Sequence, residues 1–373
     1  MRRDDNEYRR RSPGLGPAGI LSFLAAFLVI ALPAVARDDW FPVPVSVWDP
    51  PFNSDRQRVD DDYQPLAKAE RRWRICLLIP HLKDAYWLAV NFAMLDEARR
   101  LDVGFAVHAA GGYGGLERQR EQFGQCLAES ADGILLGAVS LEGLNDLVAK
   151  AAAADVPVVD LINGVSSPDI SARVGVDFWD MGRVAGEHLT TLIEESSVPV
   201  RVAWLPGPAG AGWVEASDAG FRYALADHPV EIVETLYGDT GRSAQKALLL
   251  AALQRQGNAI DYVVGTATTA EAAVGTLREA GLGEDVGVIA DYYSPGVHRA
   301  IRRGQVIAAP SDLPALQTRI ALDTVVRILE GREHHAHVAA KVVMVDRQRL
   351  ADWDPAASLP PRGFRPVFVM GWQ

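Results

Sequence analysis

From Trp73 onward, short β-branched apolar runs alternate with amphipathic stretches of about 12–16 residues. Ten runs predict strands: "RICLLI", "VGFAVHA", "GILLG", "VPVVDLI", "VRVAWL", "VEIVETLY", "DYVVG", "VGVIA", "VIAA" and "VVMV". The amphipathic stretches predict helices at residues 86–101, 115–129, 142–154, 179–194, 213–227, 242–256, 269–280, 295–303 and 314–330. This regular alternation predicts parallel strands joined by right-handed helical crossovers.

The alternation is interrupted near residues 164–176 by the polar stretch "NGVSSPDISARVGV" and then resumes. Two similar sets of units predict an α/β fold of two doubly wound parallel-sheet lobes, a clamshell with a cleft. We expect residues 71–163 and 312–340 to form an amino-terminal lobe and residues 164–311 and 341–373 a carboxy-terminal lobe. Open α/β sheets bind ligands beyond the carboxyl ends of their strands, so the loops that follow the strands are the candidate site.

Residues 1–36 predict an export signal. Five arginines precede the uncharged apolar stretch Ala18–Leu32, and "ALPAVA" ends at Ala36 in the small-x-small pattern of a cleavage site. The alternative is an uncleaved membrane anchor, for which the apolar stretch is short, since a span takes about 20 residues. We expect the mature chain to begin after Ala36 and to reside in the periplasm.

Residues 37–70 predict an extended amino-terminal arm, because its prolines disfavour helix and the run Asp60–Asp62 is solvated. Four large aromatic residues are unlike a free linker: Trp40, Phe41, Trp48 and Phe52. We therefore expect the arm to pack on the body of the protein or on a partner.

Charge and motifs exclude several functions. Without the five arginines and three acids of residues 1–36, the net charge changes from −11 to about −13, which disfavours nucleic acid and anionic lipid as partners. The chain has no GxSxG or HExxH motif, so we do not expect catalysis. The glycine-rich loop "AAGGYGG" contains no GxGxxG and no Lys-Ser/Thr pair follows it, so we do not expect a nucleotide cofactor there. The run "REHHAH" at residues 332–337 allows a metal patch, but a solvated turn is the commoner structure for such a run. No later stretch is apolar for 18 residues, so membrane contact is expected only through a partner.

The stretch "LKDAYWLAVNFAM" places Tyr86 and Trp87 side by side at the first strand-to-helix turn. Leu88, Phe92 and Leu95 recur at helical spacing and form the predicted buried stripe of that helix. Tyr86 lies about 160° and Trp87 about 100° around the helix from Leu88. A position in the core would suit one of these two aromatic residues but not both. We therefore favour the interpretation that they face the cleft.

Aromatic residues occur at four strand-end or helix-start positions, shared between both predicted lobes. They are Tyr86 with Trp87, Tyr113 in "AAGGYGG", Phe178 with Trp179 in "RVGVDFWDMG", and Tyr292 in "IADYYS". Faces of Trp and Tyr attract ammonium-like groups by about 0.5–2 kcal/mol each when desolvated, and Asp84 adds a carboxylate nearby. The first two loops lack the several Arg and Asn residues usual in sugar clefts. The pattern favours a small, poorly hydrated, amine-like ligand.

The chain has two cysteines, Cys76 in the first predicted strand and Cys126 in the second predicted helix. Export to an oxidising compartment favours a disulfide, which would close a loop of about 51 residues. Two buried free thiols are the alternative.

At these same residues the sequence resembles the TorT family of periplasmic trimethylamine N-oxide (TMAO) sensors. Matching stretches occur in family order over most of residues 72–370 and include both cysteines: "LKDAYWLAVNFAM", "AGGYGGLERQREQFGQC", "GILLG", "RVGVDFWDMG", "LPGPAGAG", "GTATTAEAAVG", "RRGQVIAAPSD" and "GFRPVF". The wider resemblance is to type I periplasmic binding proteins of the ribose-binding kind, which agrees with the clamshell predicted from periodicity.

The resemblance implies a sensor that binds TMAO, or a similar small methylated amine oxide, in an interlobe aromatic cage. It also implies a partner, the periplasmic domain of a TorS-like hybrid sensor histidine kinase that controls TMAO respiration. The family's cage falls on Tyr86, Trp87, Tyr113 and Tyr292, with Asp84 close by. The family pattern has Trp where this chain has Phe178, followed here by Trp179. The alternative function is a solute-binding protein that delivers a sugar or an amine to an ABC transporter.

Overall fold

The computed structural model describes residues 42–194 and 198–372. The predicted export signal, residues 1–36, lies outside the described residues. The strands are β1 Val43–Trp48, β2 Arg58–Tyr63, β3 Arg74–Ile79, β4 Gly104–Ala109, β5 Gly133–Leu136, β6 Val158–Leu161, β7 Ala172–Val174, β8 Val200–Gly207, β9 Val230–Tyr237, β10 Tyr262–Gly265, β11 Gly287–Ala290, β12 Ala308–Ser311, β13 His337–Ala340, β14 Val343–Asp346 and β15 Val369–Met370. The helices are α1 Ala85–Leu101, α2 Leu116–Ala128, α3 Asn145–Ala152, α4 Phe178–Leu192, α5 Gly212–Leu225, α6 Arg242–Gln256, α7 Ala267–Glu279, α8 Pro295–Arg302 and α9 Pro314–Leu329. Each predicted helix is confirmed to within three residues at either end.

The strands form two sheets. The first has the order β15-β4-β3-β5-β6-β7-β13-β1-β2, and the second has the order β14-β12-β11-β10-β8-β9. Strands β4, β3, β5, β6, β7 and β13 are parallel, and so are β12, β11, β10, β8 and β9. Antiparallel strands are added only at the margins, where β1, β2, β14 and β15 pair. The predicted class, two doubly wound α/β lobes, is therefore confirmed.

The strand pairing changes two of the predicted lobe assignments. Strand β7 was expected in the second lobe, but it pairs with β6 and β13 in the first sheet. Strand β15 was also expected there, but it pairs with β4 at the opposite edge of the first sheet. Both strands have only two or three residues, so their own apolar pattern is too short to reveal which sheet they join.

The amino-terminal arm is a hairpin that extends the first sheet. Strand β1 pairs antiparallel with β13, and β2 pairs with β1 along its full length. Tyr63, at the end of β2, donates its hydroxyl hydrogen to the buried carboxylate of Asp323 at 2.7 Å. The backbone N–H of Leu66 donates to the same carboxylate at 2.7 Å. The arm thus packs on the body of the protein, against helix α9.

The central strand β3 is buried on both faces because helices cover both sides of its sheet. Ile75, Leu77 and Ile79 face helices α1 and α9, and Cys76 and Leu78 face helices α2 and α3. This burial explains why "RICLLI" is continuously apolar, as expected for a central parallel strand. Among the described residues, no helix combines the length and apolar character needed to cross a bilayer.

A disulfide joins Cys76 in β3 to Cys126 in α2 across 50 residues of sequence. Both cysteines are fully buried in the core between the sheet and helix α2. The bond ties the central strand to the helix that follows the next strand along the chain.

We predict that replacing both cysteines, Cys76→Ala with Cys126→Ala, lowers the free energy of unfolding by about 2–4 kcal/mol. The closed loop restricts the unfolded chain, and its loss restores that entropy. Urea unfolding monitored by tryptophan fluorescence measures the change. Wild-type protein unfolded in reductant is the matched control and should be destabilised similarly. Equal urea midpoints for the variant and the oxidised wild type would contradict the prediction.

Candidate ligand-binding site

A cavity of about 360 Å³ lies between the two lobes, where loops after the strands of both sheets converge. We call it the cage. Its walls are His81, Asp84, Tyr86, Trp87, Tyr113, Ile162, Asn163, Phe178, Trp213, Thr240 and Tyr292.

Rings from the two lobes meet in the cage at near-perpendicular or tilted angles. Tyr86 of the first lobe lies 5.8 Å from Tyr292 of the second, with 76° between the ring planes. Tyr113 lies 6.2 Å from Trp213, and Phe178 lies 5.9 Å from the same indole. These separations are those of favourable aromatic pairs. Both lobes therefore supply π faces to one small volume.

The first turn of α1 positions the inner wall. Asp84 precedes the helix, and its carboxylate accepts hydrogen bonds from the backbone N–H groups of Tyr86 at 3.1 Å and Trp87 at 3.3 Å. Such an amino-terminal cap fixes the direction in which the helix begins. A Cβ added at Gly137 would lie 2.8 Å from the Trp87 ring, so the ring packs directly on the backbone after β5. Tyr86 and Trp87 thus belong both to the main core of the first lobe and to the cage wall.

A buried hydrogen-bond network holds Tyr86 from outside the cage. Its hydroxyl donates to the carboxylate of Asp312, which lies where the chain passes from β12 into α9. Gln317 donates to the same carboxylate at 2.8 Å and accepts from the backbone N–H of Val176 at 3.2 Å. Burial of the carboxyl raises the pKa of Asp312 to about 6. Burial also raises the pKa of Tyr86 well above its usual value, so the phenol stays protonated.

Hydrogen-bonding groups also face the cage. The hydroxyl of Tyr113 lies 3.4 Å from Oδ1 and 3.3 Å from Nδ2 of Asn163, whose amide donates to the carbonyl of Ala138 at 2.7 Å. Within the described chain, the indole N–H of Trp213 and Nδ1 of His81 are buried without a hydrogen-bond partner. Both atoms are therefore available to a small acceptor or donor in the cage.

The cage has an acidic rather than a basic electrostatic character. Asp84 is its one carboxyl group, and none of the described residues that line it is a lysine or an arginine. Burial raises the pKa of Asp84, although His81 and the two backbone N–H groups oppose the rise. Burial lowers the pKa of His81. Burial thus disfavours the charged form of both side chains.

Six of the seven residues expected to bind ligand line the cage: Asp84, Tyr86, Trp87, Tyr113, Phe178 and Tyr292. Trp179 does not. Helix α4 begins at Phe178, and the next residue points about 100° away around the helix. The Trp179 ring packs instead 5.1 Å from Tyr223 and beneath the guanidinium of Arg56.

Trp213 is the aromatic wall that the sequence reasoning missed. It lies in the first turn of α5, after the strand-end stretch "LPGPAGAGW", and is only 7% exposed. The same rule that selected Phe178, an aromatic at the start of a helix that follows a strand, would have selected it. Gly207, with φ near +123°, lets the indole pack on the end of β8. Ile162, Asn163 and Thr240 also line the cage and carried no distinctive sequence signal.

The histidines of the "REHHAH" run do not form one cluster. Nε2 of His335 lies 3.2 Å from the carboxylate of Asp61, and Nδ1 of His334 lies 3.1 Å from the carbonyl of Arg332. His337 is buried and stacks on Trp48 at 3.9 Å. Each imidazole therefore has a different local environment.

Comparison with known proteins identifies relatives over most of the chain. Residues 75–333 match a family described as periplasmic binding protein domain. The chain is 38% identical to the periplasmic protein TorT of Escherichia coli strain K12 over 301 residues, which cover 81% of this chain and 86% of that protein.

Two solved structures are similar to this one. An ABC transporter solute binding protein from Bradyrhizobium sp. BTAi1, with bound Bis-Tris, is 44% identical with a TM-score of 0.79, covering 88% of this chain and 99% of that chain. A chain of the TorS sensor domain–TorT complex, crystallised in the presence of TMAO, is 30% identical with a TM-score of 0.73, covering 79% of this chain and 99% of that one.

We predict that Asp312→Asn removes a pH-dependent loss of stability. The pKa of Asp312 is about 6 in the folded protein and about 3.9 in an unfolded chain. Between these two pH values, Asp312 binds more protons in the folded state than in the unfolded state. Its contribution to stability therefore falls as pH rises. The variant should gain on the order of 2–3 kcal/mol relative to wild type between pH 4 and pH 7, measured by urea unfolding.

The control is Asp102→Asn on the surface. The pKa of Asp102 is lowered by the hydrogen bond that Arg72 donates to it and by the nearby charge of Lys68. This carboxylate contributes stability above its unfolded pKa and loses it as pH falls, so the Asp102→Asn variant and wild type should converge on acidification. If the free energies of unfolding of Asp312→Asn and wild type differed by the same amount at every pH, the raised pKa of Asp312 would be contradicted.

Proposed function

The chain belongs to the periplasmic binding protein family and, within it, to the relatives of TorT, and we propose that it binds TMAO or a similar small methylated amine oxide in the cage. It then relays occupancy to the periplasmic domain of a TorS-like hybrid sensor histidine kinase that controls TMAO respiration. The supporting observation is a cage of aromatic rings, drawn from both lobes, with one carboxyl group and no lysine or arginine among the described lining residues. We propose binding without catalysis.

The location follows from the family. TorT is a periplasmic protein, and the matched domain is that of periplasmic binding proteins. We propose in addition that residues 1–36 are removed by cleavage after Ala36, because that residue completes the small-x-small pattern.

The two ends of an amine oxide match different groups of the cage. Its methyl groups carry partial positive charge and pack favourably on the faces of Trp and Tyr rings. Its oxygen is an acceptor, and the Tyr113 hydroxyl and the Trp213 indole can donate. Sugars need many more directed polar groups than this wall supplies. The cage therefore favours a methylated amine oxide over a pentose or hexose.

Trp213 compensates for the family tryptophan that Phe178 replaces. Phe has a weaker quadrupole than Trp, so Phe178 alone would weaken attraction to a methylated nitrogen. The Trp213 ring lies 5.9 Å from Phe178 and 6.5 Å from Tyr292 on the same side of the cage. An indole therefore still lines the second lobe.

Signalling would result from closure of the two lobes around the ligand. Asp84, Tyr86, Trp87 and Tyr113 belong to the first lobe, whereas Phe178, Trp213 and Tyr292 belong to the second. A ligand that contacts both groups binds the closed arrangement more tightly than an open one and shifts the population toward it. The kinase domain then senses the relative position of the lobes.

The second candidate is a solute-binding protein of an ABC transporter. It is favoured by one observation, the 44% identity to a protein so described, which holds Bis-Tris, itself a tertiary amine. Both candidates bind an amine, and they differ in the partner that recognises the closed form. A permease would replace the kinase domain in this case.

We predict that the purified mature chain binds TMAO in calorimetry and does not bind ribose, galactose or glucose at comparable concentrations. The aromatic wall supplies the driving force for TMAO and few partners for sugar hydroxyls. Adding the kinase's periplasmic domain should give a complex whose affinity changes with TMAO. Tight sugar binding without TMAO binding would overturn the proposed function, and a complex insensitive to TMAO would favour transport.

We predict that Trp213→Ala weakens TMAO binding at least tenfold, because it removes an indole face and a hydrogen-bond donor from the cage. Trp179→Ala is the matched control, one tryptophan outside the cage on the neighbouring helix, and should bind within about threefold of wild type. Calorimetry gives both affinities, and circular dichroism checks that each variant is folded. If both variants lost the same affinity for TMAO, the proposal that Trp213 contacts the ligand would be contradicted.

A further inference from the structure

A second, larger cavity of about 1,070 Å³ adjoins the cage on the side of the arm. We call it the vestibule. It shares four lining residues with the cage: Ile162, Asn163, Phe178 and Trp213. The walls that matter for charge and for the arm are Trp48, Asn53, Arg56, Arg173, Asp177 and Glu215.

The turn of the arm hairpin forms an ordered wall of the vestibule. The Asn53 amide donates to the carbonyls of Pro50 at 2.7 Å and Gln57 at 2.9 Å, and its oxygen accepts from the Gln57 N–H at 2.9 Å. Phe52 stacks 5.5 Å from His337, on which Trp48 also stacks. The turn is therefore held by its own hydrogen bonds and by ring contacts.

Arg56 attaches this turn to the second lobe. Its Nε donates to the carboxylate of Asp177 at 2.6 Å, at the amino terminus of α4. The guanidinium also lies 4.7 Å from the centre of the Trp179 ring. The terminal nitrogens of Arg56 donate to no hydrogen bond within the described residues, so they remain available on the vestibule side.

Arg173 supplies a second cation to the vestibule, and its guanidinium lies 5.6 Å from the centre of the Phe52 ring in the arm turn. Its Nε donates to the buried carboxylate of Asp160 at 2.6 Å, and one terminal nitrogen donates to the carbonyl of Val165 at 2.6 Å. In the described part of the chain its other terminal nitrogen makes no hydrogen bond. The acids that also line the vestibule are Asp177, already paired with Arg56, and Glu215, which is exposed.

Charge is therefore separated along the cleft. The cage offers aromatic faces and the carboxyl group of Asp84, whereas the adjoining vestibule offers two guanidinium groups with unused donors. Arginine is well suited to bind a carboxylate with paired hydrogen bonds. A molecule with a methylated nitrogen at one end and an anion at the other matches both environments.

We propose that the vestibule is a second ligand subsite, which binds the carboxylate of methylated ammonium compounds whose nitrogen occupies the cage. The proposal rests on the proposed function, because it takes the cage as the site of the methylated nitrogen. TMAO fills the cage alone, and a carboxylate tail adds contacts with Arg56 and Arg173. The arm thereby widens the ligand range beyond amine oxides.

Calorimetry with four probes tests the subsite: TMAO, choline, glycine betaine and γ-butyrobetaine. Choline has a neutral hydroxyl tail, and the two betaines place a carboxylate at different distances from the nitrogen. At least one betaine should bind tenfold or more tightly than choline. Its advantage should decrease as salt concentration rises, because ion pairs near solvent are screened.

Arg56→Gln and Arg58→Gln are the matched variants. Arg58 lies two residues along the same hairpin and pairs with Asp180 of α4, but it lines a different cavity. Arg56→Gln should weaken the favoured betaine at least fivefold and leave TMAO within about twofold, whereas Arg58→Gln should change neither. Arg173 is unsuited to a first test, because its removal would leave the buried Asp160 without its cation.

The outcomes separate the two proposals. Absence of TMAO binding would overturn the proposed function and the subsite together. TMAO binding with no betaine bound more tightly than choline would overturn the subsite alone. Equal weakening of TMAO and betaine by Arg56→Gln would show that the arginine acts on lobe closure, and this result also overturns the subsite.

Discussion

The hydrogen bond from Tyr86 to Asp312 constrains the cage, because it connects the first lobe to the segment that leaves the second sheet. Tyr86 lies in the first turn of helix α1 in the first lobe, and its ring contacts Tyr292 of the second lobe. One side chain thus touches both lobes and a connection between them. Because its hydroxyl is already bonded to a buried carboxyl, the ring face rather than the hydroxyl is the part available to a ligand. The opening of α1 can therefore serve the core and the cage together.

Ten strands and all nine helices of the described residues could be predicted from the sequence because each carries a strong local period. Strands β1, β2, β7, β13 and β15 were not predicted, because their positions depend on pairing with distant strands rather than on their own apolar pattern. In the cage, Asp84, Tyr86 and Tyr113 were predictable from strand-end position alone. Trp179 does not line the cage, because it lies one helical step beyond Phe178 and the direction of each side chain depends on where α4 begins. Asn163 and Thr240 were missed because polar residues are common in loops and only convergence distinguishes them.

The aromatic wall of the second lobe draws on two helices. Phe178 lies at the start of α4, and Trp213 approaches from the neighbouring helix α5, with its ring 5.9 Å away. Helices α4 and α5 are closely packed against each other, and the residues that allow it are glycines: a Cβ at Gly182 or Gly220 would lie 1.9 Å from a backbone carbonyl oxygen of the partner helix. This close packing brings an indole on α5 within reach of a cage built around the start of α4.

The division of the cage between lobes also sets how much signal a ligand can produce. A ligand shifts a conformational equilibrium only by the difference between its affinities for the two states. Contacts with Tyr86, Trp87 and Tyr113 are available to a ligand on the first lobe alone, so they add affinity without favouring closure. Contacts with Phe178, Trp213 and Tyr292 form only when the lobes meet. In the proposed function, at about 0.5–2 kcal/mol for each ring face, these three contacts contribute roughly 1.5–6 kcal/mol to closure, and moving an equilibrium from 1:99 to 99:1 takes about 5.5 kcal/mol. The second-lobe rings would therefore set the size of the conformational response, whereas the first-lobe rings would strengthen binding to both states equally.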